Sequence, residues 1–235
     1  MKRYYWLVIA LGILGPIAKG QDTLSDQFLL RGGVALPVGA FAAQEDLNAG
    51  HALAGFHVGV EYLANLKERL HFSVLPGWNS FGLDATNYDY APGFAPTPEN
   101  NDLERSRYQQ FYVMTGPSYA LSTKQLTILP AIRAGLVYNQ GADTEIEFEF
   151  NGLASKVEID RGDQLQLGLM PGITFLFDFP KEGKLFTSID YFYSRPALET
   201  KVSSTSGTTT NQSSTESRQP MNALLVTWGI SIAFN

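Results

Sequence analysis

The stretch Leu224-Leu225-Val226-Thr227-Trp228-Gly229-Ile230-Ser231-Ile232-Ala233-Phe234-Asn235 alternates along its whole length. Leu224, Val226, Trp228, Ile230, Ile232 and Phe234 share one register. Leu225, Thr227, Gly229, Ser231, Ala233 and Asn235 share the other. Successive side chains of a strand point to opposite faces. One face is therefore bulky and apolar, and the other is mostly small or hydroxylated. Such a strand turns its greasy side to oil and packs its small side into a crowded interior, as in the wall of a transmembrane β-barrel.

The start of the chain agrees with an exported barrel. Lys2 and Arg3 form a positive n-region, and Tyr4 to Ile17 is an apolar run broken only by glycines and Pro16. Ala18-Lys19-Gly20 supplies small residues at the peptidase-read positions, which predicts a signal peptide over 1–20 cleaved after Gly20. One barrel domain is then expected over 21–235. The apolar run is too short for a membrane-spanning helix. Later in the chain no window of about 18 apolar residues offers one either. The absence of cysteine excludes disulfides, thiolate metal sites and an N-terminal lipid anchor. Losing Lys2, Arg3 and Lys19 with the leader moves the formal charge from −6 to −9. An acidic chain lacks the basic footprint of a nucleic-acid binder.

Period-2 alternation recurs often enough to predict eight strands. The first covers about 27–38, with Phe28, Leu30, Val34, Leu36 and Val38 on one face. The second covers about 51–63, with Ala52, Ala54, Phe56, Val58, Val60 and Tyr62 in register. The others are expected at 70–81, 108–121, 126–140, from Gln164 to Phe179, from Leu185 to Ser194, and at the C-terminal stretch. Connections after the second, fourth and sixth strands are short, and the others are longer. The expected fold is an all-β, eight-stranded antiparallel up-and-down transmembrane β-barrel with short periplasmic turns and long extracellular loops.

A soluble barrel also alternates, but it needs Lys and Glu along its outer face. Here most charges fall in turns and loops. The non-apolar register is rich in Gly, Ala, Ser, Thr and Gln, which suits a narrow bore. Tyr62, Trp78, Tyr119, Tyr138, Tyr191, Tyr193, Trp228 and Phe234 fall on the apolar register and are expected to form an aromatic girdle. Pro76, Pro117, Pro130 and Pro171 also lie on that register, each beside Gly or Ala. A closed barrel has no free edge, so these prolines are expected at bulges or bends.

With its leader, its Leu-Pro-Gly-like strand centres, its strand–turn spacing and its final Trp-Gly-Ile-Ser-Ile-Ala-Phe, the chain resembles a known group. That group is the small outer-membrane β-barrel family of Bacteroidota (the porin family, or PorT-like group), akin to OmpA- and OmpX-type barrels. The resemblance covers about residues 24–235. It implies an eight-stranded barrel in the outer membrane of a Gram-negative bacterium, and it transfers no catalytic signature. The PorT members are linked to protein secretion, which makes an accessory secretion role one alternative.

Candidate site residues are few. The inward register holds Arg31, His57, Glu61, His71, Arg133, Asp178 and Asp190. Eight strands enclose a bore that side chains fill, and an isolated buried charge is very costly. Arg31 is expected to pair with Glu61, and Arg133 to meet Asp190 across the lumen. Together they would make a polar plug rather than an ion path. A lipid-modifying enzyme is the other alternative, using His with Ser and an acid. His51 faces inward by register, however, while Ser80 faces outward. His57 and Glu61 lie four residues apart on one face, roughly 13 Å, beyond hydrogen-bond reach. No ligand spacing supports a metal. Asp84, Asp89, Glu99, Asp102 and Glu104 read as a solvated acidic loop, and no cofactor is expected.

The long loops are the expected functional surface. One carries Tyr88, Tyr90 and Phe94. A second carries Glu145-Ile146-Glu147-Phe148-Glu149-Phe150, then Asn151-Gly152, a hairpin signal that predicts a ribbon rising beyond the membrane. Residues 203–218 are a Ser/Thr/Gly/Asn tract expected to be a mobile loop. Expected partners are outer-membrane lipids and lipopolysaccharide, with other envelope proteins at the loops.

Overall fold

The computed structural model describes residues 24–43, 50–84, 103–105, 107–123, 125–150, 153–179, 183–206 and 209–234. The expected leader over 1–20 and Tyr88, Tyr90 and Phe94 lie outside these residues. Fourteen strands run along the described chain. They are β1 (Asp26–Pro37), β2 (Ala52–Lys67), β3 (Leu70–Leu83), β4 (Leu103–Arg105), β5 (Tyr108–Tyr119), β6 (Leu121–Ser122) and β7 (Leu126–Gln140). Then come β8 (Thr144–Phe150), β9 (Leu153–Arg161), β10 (Gln164–Phe179), β11 (Gly183–Phe192), β12 (Ala197–Ser206), β13 (Thr209–Arg218) and β14 (Ala223–Phe234).

Eight of these close a cylinder in the order β1-β2-β3-β5-β7-β10-β11-β14, with β14 returning to β1. Every pair is antiparallel. The period-2 pattern decides which side of the wall each residue faces. Leu30, Val58, Phe111, Leu136, Leu167, Ile189 and Ile230 are exposed on the outside. Leu29, Leu63, Leu75, Met114, Val137 and Met170 are buried in the bore. An apolar exterior around a filled interior makes this a transmembrane β-barrel.

Beyond the long-loop end the wall continues on one side. β7 runs on into β8, β9 feeds β10, β11 runs on into β12, and β13 feeds β14. The added strands pair as β13-β12-β9-β8-β4, a second sheet that repeats the strand neighbours of the wall below it. Its surface chemistry is different. Lys156 Nζ lies 2.6 Å from Glu145 Oε1 and 2.7 Å from Glu158 Oε1. These carboxylates hold the Lys156 ammonium above its usual range. Glu199 accepts a hydrogen bond from Ser214 at 2.8 Å. Charged residues thus appear on the wall where the strands leave the membrane. The Glu-rich run 145–150 forms the predicted ribbon, paired across a two-residue connection. Phe148 and Phe150 lie in β8, with their side chains outside the description.

Four expectations change. The tract 203–218 is not a loop: β12 and β13 pair over ten successive positions from Ala197↔Arg218 to Ser206↔Thr209. The β-forming threonines and the pairing of β12 with β9 override the composition. Second, Ala52 is buried while Leu53 is exposed, because β2 shifts register between Leu53 and Gly55. One irregularity exchanges the faces of the residues beyond it. Third, the four in-strand prolines make no bulge. Register runs unbroken through Pro171↔Ile132, Ile173↔Pro130, Phe72↔Pro117 and Pro76↔Val113. Each proline gives up a single ladder donor. Fourth, Trp228 is mid-strand, opposite Gly32 and Thr187, rather than at a rim. Tyr119 ends β5, and Tyr191 is one residue from the end of β11. Tyr62 donates to Asp26 at the short-turn end (2.8 Å), and Tyr138 donates to Asp163 at the other.

Candidate functional site

At mid-height the bore holds a closed ring of four charges. Arg31 comes from β1, Glu61 from β2, Arg133 from β7 and Asp190 from β11, each on the inward register and each at most 4% exposed. Arg31 Nη2 donates to Glu61 Oε2, and Arg31 Nη1 donates to Asp190 Oδ2 at 3.0 Å. Arg133 Nη2 donates to Glu61 Oε1 at 2.6 Å and Nη1 to Asp190 Oδ1 at 3.1 Å. Each carboxylate thus gives one oxygen to each arginine, and the ring is neutral. Charge-assisted hydrogen bonds of this kind are the strong ones.

Hydroxyls from the remaining wall complete it. Ser188 donates to Asp190 Oδ2 at 2.8 Å and accepts from Arg31 at 2.9 Å. Thr174 on β10 accepts from Arg31 at 3.2 Å, and Ser73 on β3 accepts from Arg133 at 2.9 Å. Thr227 on β14 reaches Ser188 at 2.6 Å. The Phe186 ring lies 5.5 Å from the Arg31 guanidinium carbon, a cation–π contact. Gly172 makes room for the Asp190 carboxylate: a Cβ there would lie 1.9 Å from Oδ1.

Apolar layers close both sides of the ring. Toward the short turns lie Leu29, Leu63, Leu129, Leu176 and Phe186. Toward the long loops lie Leu75, Tyr112, Met114, Met170 and Phe192. Above the second layer runs an uncharged network. His57 Nδ1 is 2.9 Å from Asn79 Oδ1 and 3.1 Å from the Tyr112 hydroxyl. Asn79 donates to Gln110, and Gln110 donates to Asn139 and Ser194, each at 3.1 Å. Arg161 lies buried at the long-loop end. Its Nη1 donates to the Ala142 carbonyl at 2.5 Å, and burial pulls its guanidinium down to about 10.

Of the inward residues expected from sequence, Arg31, Glu61, Arg133 and Asp190 meet in one group. His57 belongs to the amide network instead. His71 sits at the short-turn end, 3.2 Å from the Arg69 carbonyl. Asp178 pairs through its backbone with Lys184, and its side chain lies outside the description. The two expected pairs are halves of the same ring, which strand-by-strand reading does not show. The reading also missed Ser73, Thr174, Ser188 and the Asn79–Gln110–Asn139–Ser194 network. Their signal is a hydroxyl or amide on the inward register of successive strands. His51 is buried with φ of 48°, and Ser80 is covered by Arg107. Among the described residues no three His, Cys, Asp or Glu side chains gather as a metal site.

No family model matches the chain, and no curated protein matches it in sequence. Solved structures do resemble it. A major outer membrane protein from Thermus thermophilus is 16% identical over 89% of this chain and 100% of that one, with a TM-score of 0.52. OprG from Pseudomonas aeruginosa is 13% identical over 91% and 99%, with a TM-score of 0.44. Ail, the attachment invasion locus protein of Yersinia pestis, is 12% identical over 89% and 100%, with a TM-score of 0.40. At 16% identity the likeness to the Thermus protein is one of architecture, and with its closed eight-stranded wall the chain has the fold of a small outer-membrane β-barrel.

Proposed function

We propose that the protein is a non-conducting, non-enzymatic barrel of a Gram-negative outer membrane that acts through the surface it presents outside the cell. The observation that carries this reading is the neutral Arg31–Glu61–Arg133–Asp190 ring, buried between two apolar layers. An ion crossing the bore would have to break charge-assisted bonds in a space that side chains already fill. With the lumen shut, function falls to the charged sheet beyond the membrane and to the lipid-facing wall. The apolar exterior supports the membrane setting, and the short turns then face the periplasm. Export would use the leader over 1–20. The resemblance to the PorT-like group of Bacteroidota belongs to this proposal, as do outer-membrane lipids, lipopolysaccharide and other envelope proteins as partners.

Planar-bilayer recording tests it. The wild-type protein should give no stable single-channel conductance. Arg133→Ala should unfold about 3–5 kcal/mol more easily, because it strands two carboxylates, and should still conduct no better. Raised conductance with unchanged stability would show an ion path instead.

A further inference from the structure

Arg107 stands just before β5, at the long-loop end of the wall. Tyr108, Gln110 and Tyr112 point into the bore, and Phe111 and Val113 point out. Arg107 is on the outward register. Two contacts hold its guanidinium. Nε donates to Ser80 Oγ at 2.9 Å, and Cζ lies 5.6 Å from the centroid of the Phe56 ring. Ser80 is only 1% exposed. A hydroxyl on the lipid side of the wall is thus covered by one arginine.

Below this arginine runs a row of rings. Phe56 meets Trp78 edge-on at 5.0 Å, and Trp78 stacks on Phe111 at 5.9 Å. Phe56 and Phe111 are exposed to the membrane. Past this row the outward register of β3 and β5 carries Ser80, Gly82 and Gln109 in place of rings, which puts Arg107 at headgroup height. Its Nη1 and Nη2 form no hydrogen bond or ion pair among the described residues. Arg31 and Arg133 are held as firmly but occupied by Glu61 and Asp190, and Arg161 is buried and donates to the Ala142 carbonyl. Among the described residues Arg107 alone combines a fixed guanidinium, a lipid-facing position and an unoccupied fork.

We infer that Arg107, positioned by Ser80 and Phe56, binds the phosphate of a phosphorylated glycolipid of the lipid A class in the outer leaflet. A planar guanidinium fork matches two phosphate oxygens. The rings beneath it offer the acyl chains a flat apolar surface, so one lipid satisfies both parts of the site. The inference rests on the orientation proposed above, with long loops outward.

Native mass spectrometry of the detergent-solubilised barrel with diphosphoryl lipid A tests this. The wild type should retain the lipid. Arg107→Gln should lose about tenfold in retention, and Ser80→Ala should fall between the two. Dephosphorylated lipid A should bind the wild type no better than the diphosphoryl form binds Arg107→Gln. Heat-modifiable migration on gels confirms that each variant is folded. Equal retention by wild type and Arg107→Gln overturns the site. Equal binding of the dephosphorylated lipid overturns the phosphate, and equal competition by phosphatidylglycerol overturns the glycolipid. Orientation is checked separately by protease cleavage of the β12–β13 hairpin on intact cells. Micelle binding does not depend on that result, so the two failures are distinguishable.

Discussion

Gly172 faces Asp190 across the β10–β11 pair, and the carboxylate occupies the space where a side chain would begin. Gly172→Ala is therefore expected to displace Asp190 from both arginines. The barrel should lose about 1–3 kcal/mol of stability, as for a buried polar group deprived of its partners, read as the urea midpoint in lipid vesicles. An Asp190→Asn change tests the same carboxylate without the steric cause and should also destabilise. At this scale the sequence was informative about charge and silent about geometry. The period-2 rule put Arg31, Glu61, Arg133 and Asp190 on the inner face. It did not show that one ring would use all four, because their meeting depends on the stagger between strands far apart in the chain. Arg107 was missed for a related reason. Its partner Ser80 comes from β3, and a serine on an apolar register looks like noise until something covers it.

The strands themselves were legible because each face meets one solvent along its length. Ile132 is central in β7 and 53% exposed on the lipid side. Ile132→Arg should cost about 2–4 kcal/mol, as for a cation at the membrane midplane, measured by reversible unfolding in vesicles. What stayed hidden was local. The shift at Leu53/Gly55 reverses the faces at the end of β2 and has no compositional mark. The β12–β13 hairpin resembled a linker because both its faces meet water, which removes the alternation that identifies a strand. Pro76 and Pro117 suggested bulges, yet the ladder passes them without a shift. The turn after β2 offers a further check. Glu68 adopts φ of 41° there, a left-handed conformation that costs a residue with a Cβ about 1–2 kcal/mol. Glu68→Gly should therefore raise the unfolding midpoint slightly, with the gain reduced by glycine's greater freedom in the unfolded chain.

Across the whole molecule, the polarity of the outer surface changes along the barrel axis. Apolar residues face outward on the eight wall strands, and Lys156, Glu145, Glu158 and Glu199 face outward on the added sheet. This boundary sets how deeply the cylinder sits in a membrane. Inside, the ring contributes no net charge, so its removal as a unit should be tolerated. Replacing Arg31, Glu61, Arg133 and Asp190 together by Met, Leu, Met and Leu is expected to leave a folded barrel, at least as stable as the parent, by the same urea midpoint. Arg133→Ala alone should be far worse.

The ring's four members sit on β1, β2, β7 and β11: the β1–β2 hairpin brings Arg31 to Glu61, but Arg133 and Asp190 have no ring partner on a neighbouring strand. A half-inserted sheet would carry bare arginines and carboxylates into oil. Early intermediates must therefore keep that stripe wet, and the first and last strands have to zip together before the interior can dry. Insertion is thereby pushed toward one concerted event, in which a partly assembled wall gains little by entering the bilayer early.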